Sequence, residues 1–288
     1  IAVMVQKNLR KLTTSMFLLI LACLDMSMLW FGLTRHYLKW VHAINIRVIG
    51  GEFVCKFQSF FSFFAPHVVA WVLVCMTAER FISVYLPHHS KRIFSKRNAA
   101  ICIFVITVVV FAIDTPIFHI RFIDETTDGS ESCSDRKEFI YYWLSVWPWI
   151  DFAIFALAPF LLIVVCNLLI IGKIAYSRYR NKHSTTQGVQ NKIPMTSMTI
   201  LLLMVSAMFL ITNMPITVYL IDGKVSTKSD QLTELETANR LLLWSVVVNL
   251  FYANNALNFY LYVVGSPRFR KQLIALFRCN THVAALPE

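Results

Sequence analysis

Six apolar runs dominate the 288-residue chain, at about 14–38, 53–86, 99–118, 139–176, 195–221 and 241–264. At about 1.5 Å per helical residue, runs of this length cross a hydrocarbon layer of about 30 Å. Lipid offers no hydrogen bonds, so the runs are expected to be helices that satisfy their own backbone. Residues 1–6 (Ile-Ala-Val-Met-Val-Gln) read as the last turn or two of another span. The chain opens without Met and in mid-helix, so it is expected to be truncated at the N-terminus, with six complete spans and one tail making seven. Composition agrees: 57% hydrophobic against 15% charged residues is far from the balance of a soluble domain.

Charge sets the expected orientation. Lys91, Arg92, Lys96 and Arg97, then Arg178, Arg180 and Lys182, then Arg268, Arg270 and Lys271 lie in connections almost free of acids. The opposite connections carry Asp124, Glu125, Asp128, Glu131, Asp135 and Glu138, then Asp222, Asp230, Glu234 and Glu236. The positive-inside rule therefore puts the C-terminus in the cytoplasm and the Cys133 loop outside. The formal charge of +11 flanks spans and is a topology signal, so no nucleic-acid partner is expected.

Cysteines follow the same division. Cys23, Cys75, Cys102 and Cys166 lie inside apolar runs and read as small buried hydrophobes. Cys279 follows an amphipathic stretch on the cytoplasmic side and is a candidate for palmitoylation. Cys55 and Cys133 remain on the oxidising side, either paired or as two free thiols, with pairing expected. Cys55 and Arg80 stand 25 residues apart on one run, about 37 Å of helix, which reaches from one membrane surface to the other.

Several motifs in this order resemble a family. They are Leu21-Ala22-Cys23-Leu24-Asp25 in the second span, Cys55 with Glu79-Arg80-Phe81 on the third, Pro159 in the fifth, Pro215 in the sixth, and Asn258-Phe259-Tyr260-Leu261-Tyr262 in the seventh. Together they resemble a rhodopsin-like (class A) G-protein-coupled receptor over nearly the whole chain. The resemblance implies an all-α membrane protein: a seven-helix bundle, most of its first helix missing, with a short C-terminal amphipathic helix at Arg268–Phe277. Residues 1–278 would form the receptor domain and 279–288 a cytoplasmic tail. It implies that Glu79 restrains Arg80 at rest, and that Phe81, Pro215, Asn258 and Tyr262 belong to the switch that admits a heterotrimeric G protein. It also implies a sodium- and water-filled pocket around Asp25. Asn254, Asn255 and Asn258 supply polar groups near it, although Val69 stands where a hydroxyl is usual. Asn213 replaces the sixth-span tryptophan, and Phe259 the proline of the last-span motif. Pro66 is expected to break the third span.

For the ligand, the last span lacks the lysine of an opsin, and Ser62 stands where an amine receptor has its acid. Asp151, flanked by Trp147, Trp149 and Phe152, would suit an Arg of a peptide, or instead an internal partner such as His67. Arg35 and His36 would suit a ligand carboxylate or phosphate, or else snorkel to headgroups. Ser62, Phe63 and Trp244 complete the candidate ligand set. No phosphate loop, metal-spaced cluster or enzyme motif is present in the sequence. The expectation is a plasma-membrane neuropeptide receptor coupled to a heterotrimeric G protein. A chemosensory or non-signalling decoy receptor is the alternative, and a transporter is less favoured because internal repeats are not apparent.

Overall fold

The computed structural model describes residues 13–125, 131–183, 197–226 and 233–283. The expected helix tail at 1–6, the last five residues and the side chain of Cys279 lie outside this description. Among the described residues six long helices, each matching one apolar run, pack together: α1 (Thr13–Val41), α2 (Gly51–Tyr85), α3 (Lys96–Asp114), α4 (Lys137–Ser177), α5 (Ser197–Ser226) and α6 (Glu234–Gly265). Then α7 (Pro267–Val283) follows. Five of these are long and apolar enough to span a membrane. The sixth, α6, falls short because Asn249, Asn254, Asn255 and Asn258 dilute its hydropathy.

Local chemistry sets the ends. The Ser95 hydroxyl accepts from the Asn98 amide at 3.2 Å and opens α3. At α6, Thr233 and Glu236 form a reciprocal capping box, the Glu236 carboxylate accepting from the Thr233 amide at 2.8 Å. That bond holds Glu236 below the usual carboxylate range. Where α6 ends, the Arg270 guanidinium donates to the carbonyls of Val263 and Val264 at 3.0 and 2.8 Å, which satisfies two carbonyls the helix leaves open.

Two expectations need correction. The fold is not purely helical: β1 (Arg121–Glu125) and β2 (Glu131–Asp135) pair antiparallel, with Ile123 opposite Cys133. The Cys55–Cys133 disulfide ties this hairpin to the first turns of α2. Nor does Pro66 break α2, which runs on for 35 residues. The wider departures from α geometry lie elsewhere, in π-turns at Leu29–Leu33, Tyr142–Val146 and Phe152–Leu157. A π-turn inserts an extra residue and re-aims the side chains beyond it. At the first of these, the Gln58 amide donates to the Phe31 carbonyl at 3.1 Å and anchors α1 to α2.

The core is built on α2. Ala65, Val69, Leu73 and Met76 pack with Phe17 and Leu21 of α1, Ile163 of α4, and Leu201 and Val205 of α5. A second cluster near the hairpin joins Phe60, Ile117, Ile120, Trp143 and Trp147. Outward faces stay apolar, with Phe104, Leu168 and Ile211 about two-thirds exposed, as expected of surfaces that meet lipid rather than water. Cys23 is on such a face and is exposed, not buried as its setting in the run suggested. The π-turns and the hairpin shape one end of the bundle into a cavity.

Candidate functional site

At the Arg80 end, a hydroxyl joins two charges. Thr14 donates to Glu79 Oε1 and Oε2 at 3.2 and 3.1 Å and accepts a hydrogen bond from Arg80 Nη2. The direct Arg80–Glu79 approach is looser, at 3.9 Å. Acid and arginine therefore meet chiefly through Thr14 of α1, a link that Glu79-Arg80-Phe81 alone does not reveal. Phe81 stacks on Tyr85 at 4.5 Å and takes no part in this contact.

Midway along the bundle, Asp25 is buried and its Oδ2 accepts from the Asn258 amide at 2.8 Å. The three expected asparagines divide. Asn255 donates weakly to its own helix at the Phe251 carbonyl, and only Asn258 reaches the acid. Asp25 Oδ1, Asn254 Oδ1, Asn258 Oδ1 and Tyr262 Oη are buried without a hydrogen-bond partner among the described residues. These oxygens suit a small hard cation or water better than a further side chain. Asn213 donates to the Phe209 carbonyl of its own helix at 2.8 Å, so it braces the turn before Pro215. Tyr262 is buried against Phe269 of α7.

Toward Cys55, a cavity of about 400 Å³ opens between α1, α2, α4, α5, α6 and the hairpin. Arg35, Ser62, Phe63, His67, Asp151 and Trp244 all line it, and so do Arg47, Arg121, Trp147, Phe251 and Tyr252. Trp149, expected beside Asp151, turns outward and is 62% exposed. Tyr252 reaches across to α1, where Gly32 leaves no space for a Cβ against its ring.

Asp151 has an internal partner. His67 Nε2 lies 3.0 Å from Asp151 Oδ1, and Nδ1 lies 3.0 Å from both oxygens of Asp114. His67 and Asp114 are fully buried. With a carboxylate at each ring nitrogen the imidazole donates from both, so α2 is clamped to α3 and α4 through one ionic triad. Asp114 sits just before Pro116 at the end of an apolar run. A lone aspartate in such a run signals a buried partner, and that signal was available in the sequence.

The remaining charge in the cavity is positive. Arg47 donates to Gln58 Oε1 at 3.3 Å and to Ser62 Oγ at 3.2 Å. Arg35 Nη2 lies 2.7 Å from His36 Nε2, and its Nε is buried without a partner among the described residues. Arg121 pairs with Asp135 at 3.1 Å and lies over the Trp143 ring. Burial first, then the nearby Arg35 and Arg121 charges, push Arg47 down to about 9; it is still charged at neutral pH.

Comparison with known proteins places this architecture. The sequence profile described as 7 transmembrane receptor (rhodopsin family) matches residues 1–262. Human galanin receptor type 1 is 24% identical over 274 residues, 93% of this chain and 72% of that receptor. Rat melanin-concentrating hormone receptor 1 is 22% identical over 231 residues, 78% of this chain and 60% of the relative. Human N-arachidonyl glycine receptor is 20% identical over 129 residues, 44% and 39% of the two chains.

Proposed function

Since the chain belongs to the rhodopsin family of seven-transmembrane receptors, a family of multi-pass membrane receptors and not of enzymes, we propose that it binds an extracellular peptide and activates a heterotrimeric G protein. The observation that carries this reading is one helix with a site near each end. Along α2, Ser62, Phe63 and His67 line the cavity, while Glu79 and Arg80, about 20 Å further on, meet Thr14 of α1. Two of the relatives bear the names of peptide receptors, galanin and melanin-concentrating hormone, and such a name supports a peptide here. In this reading the bundle has seven helices in the plasma membrane, the Arg80 end and the C-terminus face the cytoplasm, and Cys279 carries a lipid.

Binding would shift a pre-existing equilibrium. A peptide wedged between α1, α4, α5 and α6 favours arrangements in which α2 releases Arg80 from Glu79 and Thr14, and the freed guanidinium meets the G protein. A sodium ion would be held by the oxygens of Asp25, Asn254 and Asn258, and would supply the positive charge that buried Asp25 otherwise lacks. Val69 adds no ligand to it. A second reading, a receptor that binds without signalling, is favoured by Asn213, whose amide is tied to its own helix.

The test is nucleotide exchange on heterotrimeric G proteins in membranes bearing the full-length receptor, challenged with a neuropeptide library. Stimulation by a peptide that disappears in Arg80→Ala, with surface level unchanged, is expected. An active peptide whose effect persists in Arg80→Ala overturns the coupling mechanism, and a library that gives no stimulation overturns the signalling reading.

A further inference from the structure

Among the described residues that line the cavity stand four cations, Arg35, Lys39, Arg47 and Arg121, and a single acid, Asp151. That acid is already hydrogen-bonded to His67 at 3.0 Å. Of the four cations, only Arg121 has a carboxylate within ion-pairing distance among the described residues. Arg35 and Arg47 are half-buried and bonded only to neutral groups or histidine. Bringing cations together under partial burial costs free energy that an anion between them would recover.

Resting on the reading of this cavity as the ligand site, we infer that the ligand enters with an oxyanion, foremost a carboxylate on an apolar body, gripped by Arg35 and Arg47. Guanidinium groups match a carboxylate in two parallel bonds, as ammonium groups do not. Phe63, Trp147, Trp244 and Phe251 supply aromatic walls for the rest of the molecule. The free C-terminus of a peptide and the carboxylate of an N-acyl amino acid present the same group. A cationic side chain, by contrast, meets a repulsive field and finds Asp151 occupied. The acidic hairpin does not reverse this: Asp135 is paired with Arg121, and no hairpin acid is among the described residues that line the cavity.

The probes are dansyl-phenylalanine, its uncharged amide and dansyl-arginine amide, titrated by fluorescence against the purified full-length receptor in nanodiscs. The free acid is expected to bind saturably and about ten- to a hundredfold more tightly than its amide, the range of one or two charge-assisted bonds. Arg47→Gln is expected to abolish that preference and Arg47→Lys to keep part of it. Arg35→Gln reads the same quantity should the first variant fail to fold. Competition by an unlabelled tripeptide free acid and by N-dodecanoyl glycine separates the two sources, the tighter competitor naming the class. No saturable binding of the acid, an amide or arginine amide that binds as well as the acid, or an acid preference unchanged in the glutamine variants overturns the inference. Nucleotide exchange is measured without these probes, so a receptor that signals yet prefers the cation overturns the ligand class alone.

Discussion

Replacing His67 by alanine strands two carboxylates. In the native bundle the imidazole stands 3.0 Å from Asp114 on one side and 3.0 Å from Asp151 on the other, and His67 and Asp114 have essentially no solvent exposure. Each charge-assisted bond contributes about 1.5–3 kcal/mol, and removing one partner of a buried pair typically costs about 3–5 kcal/mol. The lost imidazole also leaves a void between α2, α3 and α4, which adds to the cost. At about 2–4 °C per kcal/mol for a chain of this size, the apparent Tm should fall by on the order of 10 °C. Tryptophan fluorescence of purified receptor in detergent during a thermal ramp reads this. Pairing His67→Ala with Asp114→Asn removes one stranded charge, so the double variant should be less destabilised than the sum of the singles. A fall below about 3 °C in His67→Ala, or simple additivity in the double variant, would refute the ionic clamp.

Thr14→Val removes the hydroxyl that bridges Glu79 and Arg80 while keeping its shape, and leaves a 3.9 Å ion pair as the remaining restraint. A net loss of about 1–2 kcal/mol from these bonds should raise ligand-free nucleotide exchange by about five- to thirtyfold; exchange unchanged from wild type at equal surface level would show that the bridge does not hold the resting state. Cys133→Ser opens a disulfide between residues 78 apart in sequence, a closure that chain-entropy reasoning values at about 4 kcal/mol. Surface expression should drop severalfold, and flow cytometry with wild-type yield would contradict this.

What the sequence alone determines here follows from solvent physics. Lipid forces apolar runs of spanning length into helices whatever their neighbours, so the six long helices among the described residues are legible, although α6 opens at Glu234, ahead of its run at 241. Caps are equally local: Ser95 with Asn98 and Thr233 with Glu236 are written three residues apart. Asp25 announces itself by the cost of an acid in an apolar run. Tertiary structure decides what is paired across the bundle. Whether Asp151 awaits a ligand or holds His67 depends on residues 84 apart in sequence. Thr14 reaches Glu79 across 65 residues. Both contacts depend on how helices rotate against one another, and π-turns that no periodicity reveals re-aim whole helix faces. The sign of the cavity's charge is decided in the same way. Arg47 and Arg121 lie in the connections between apolar runs, where nothing in the sequence tells which way they face, and folding turns both inward beside Arg35. Composition counts charges, and only the fold brings these together, because like charges gather only where packing and disulfide geometry overrule their repulsion.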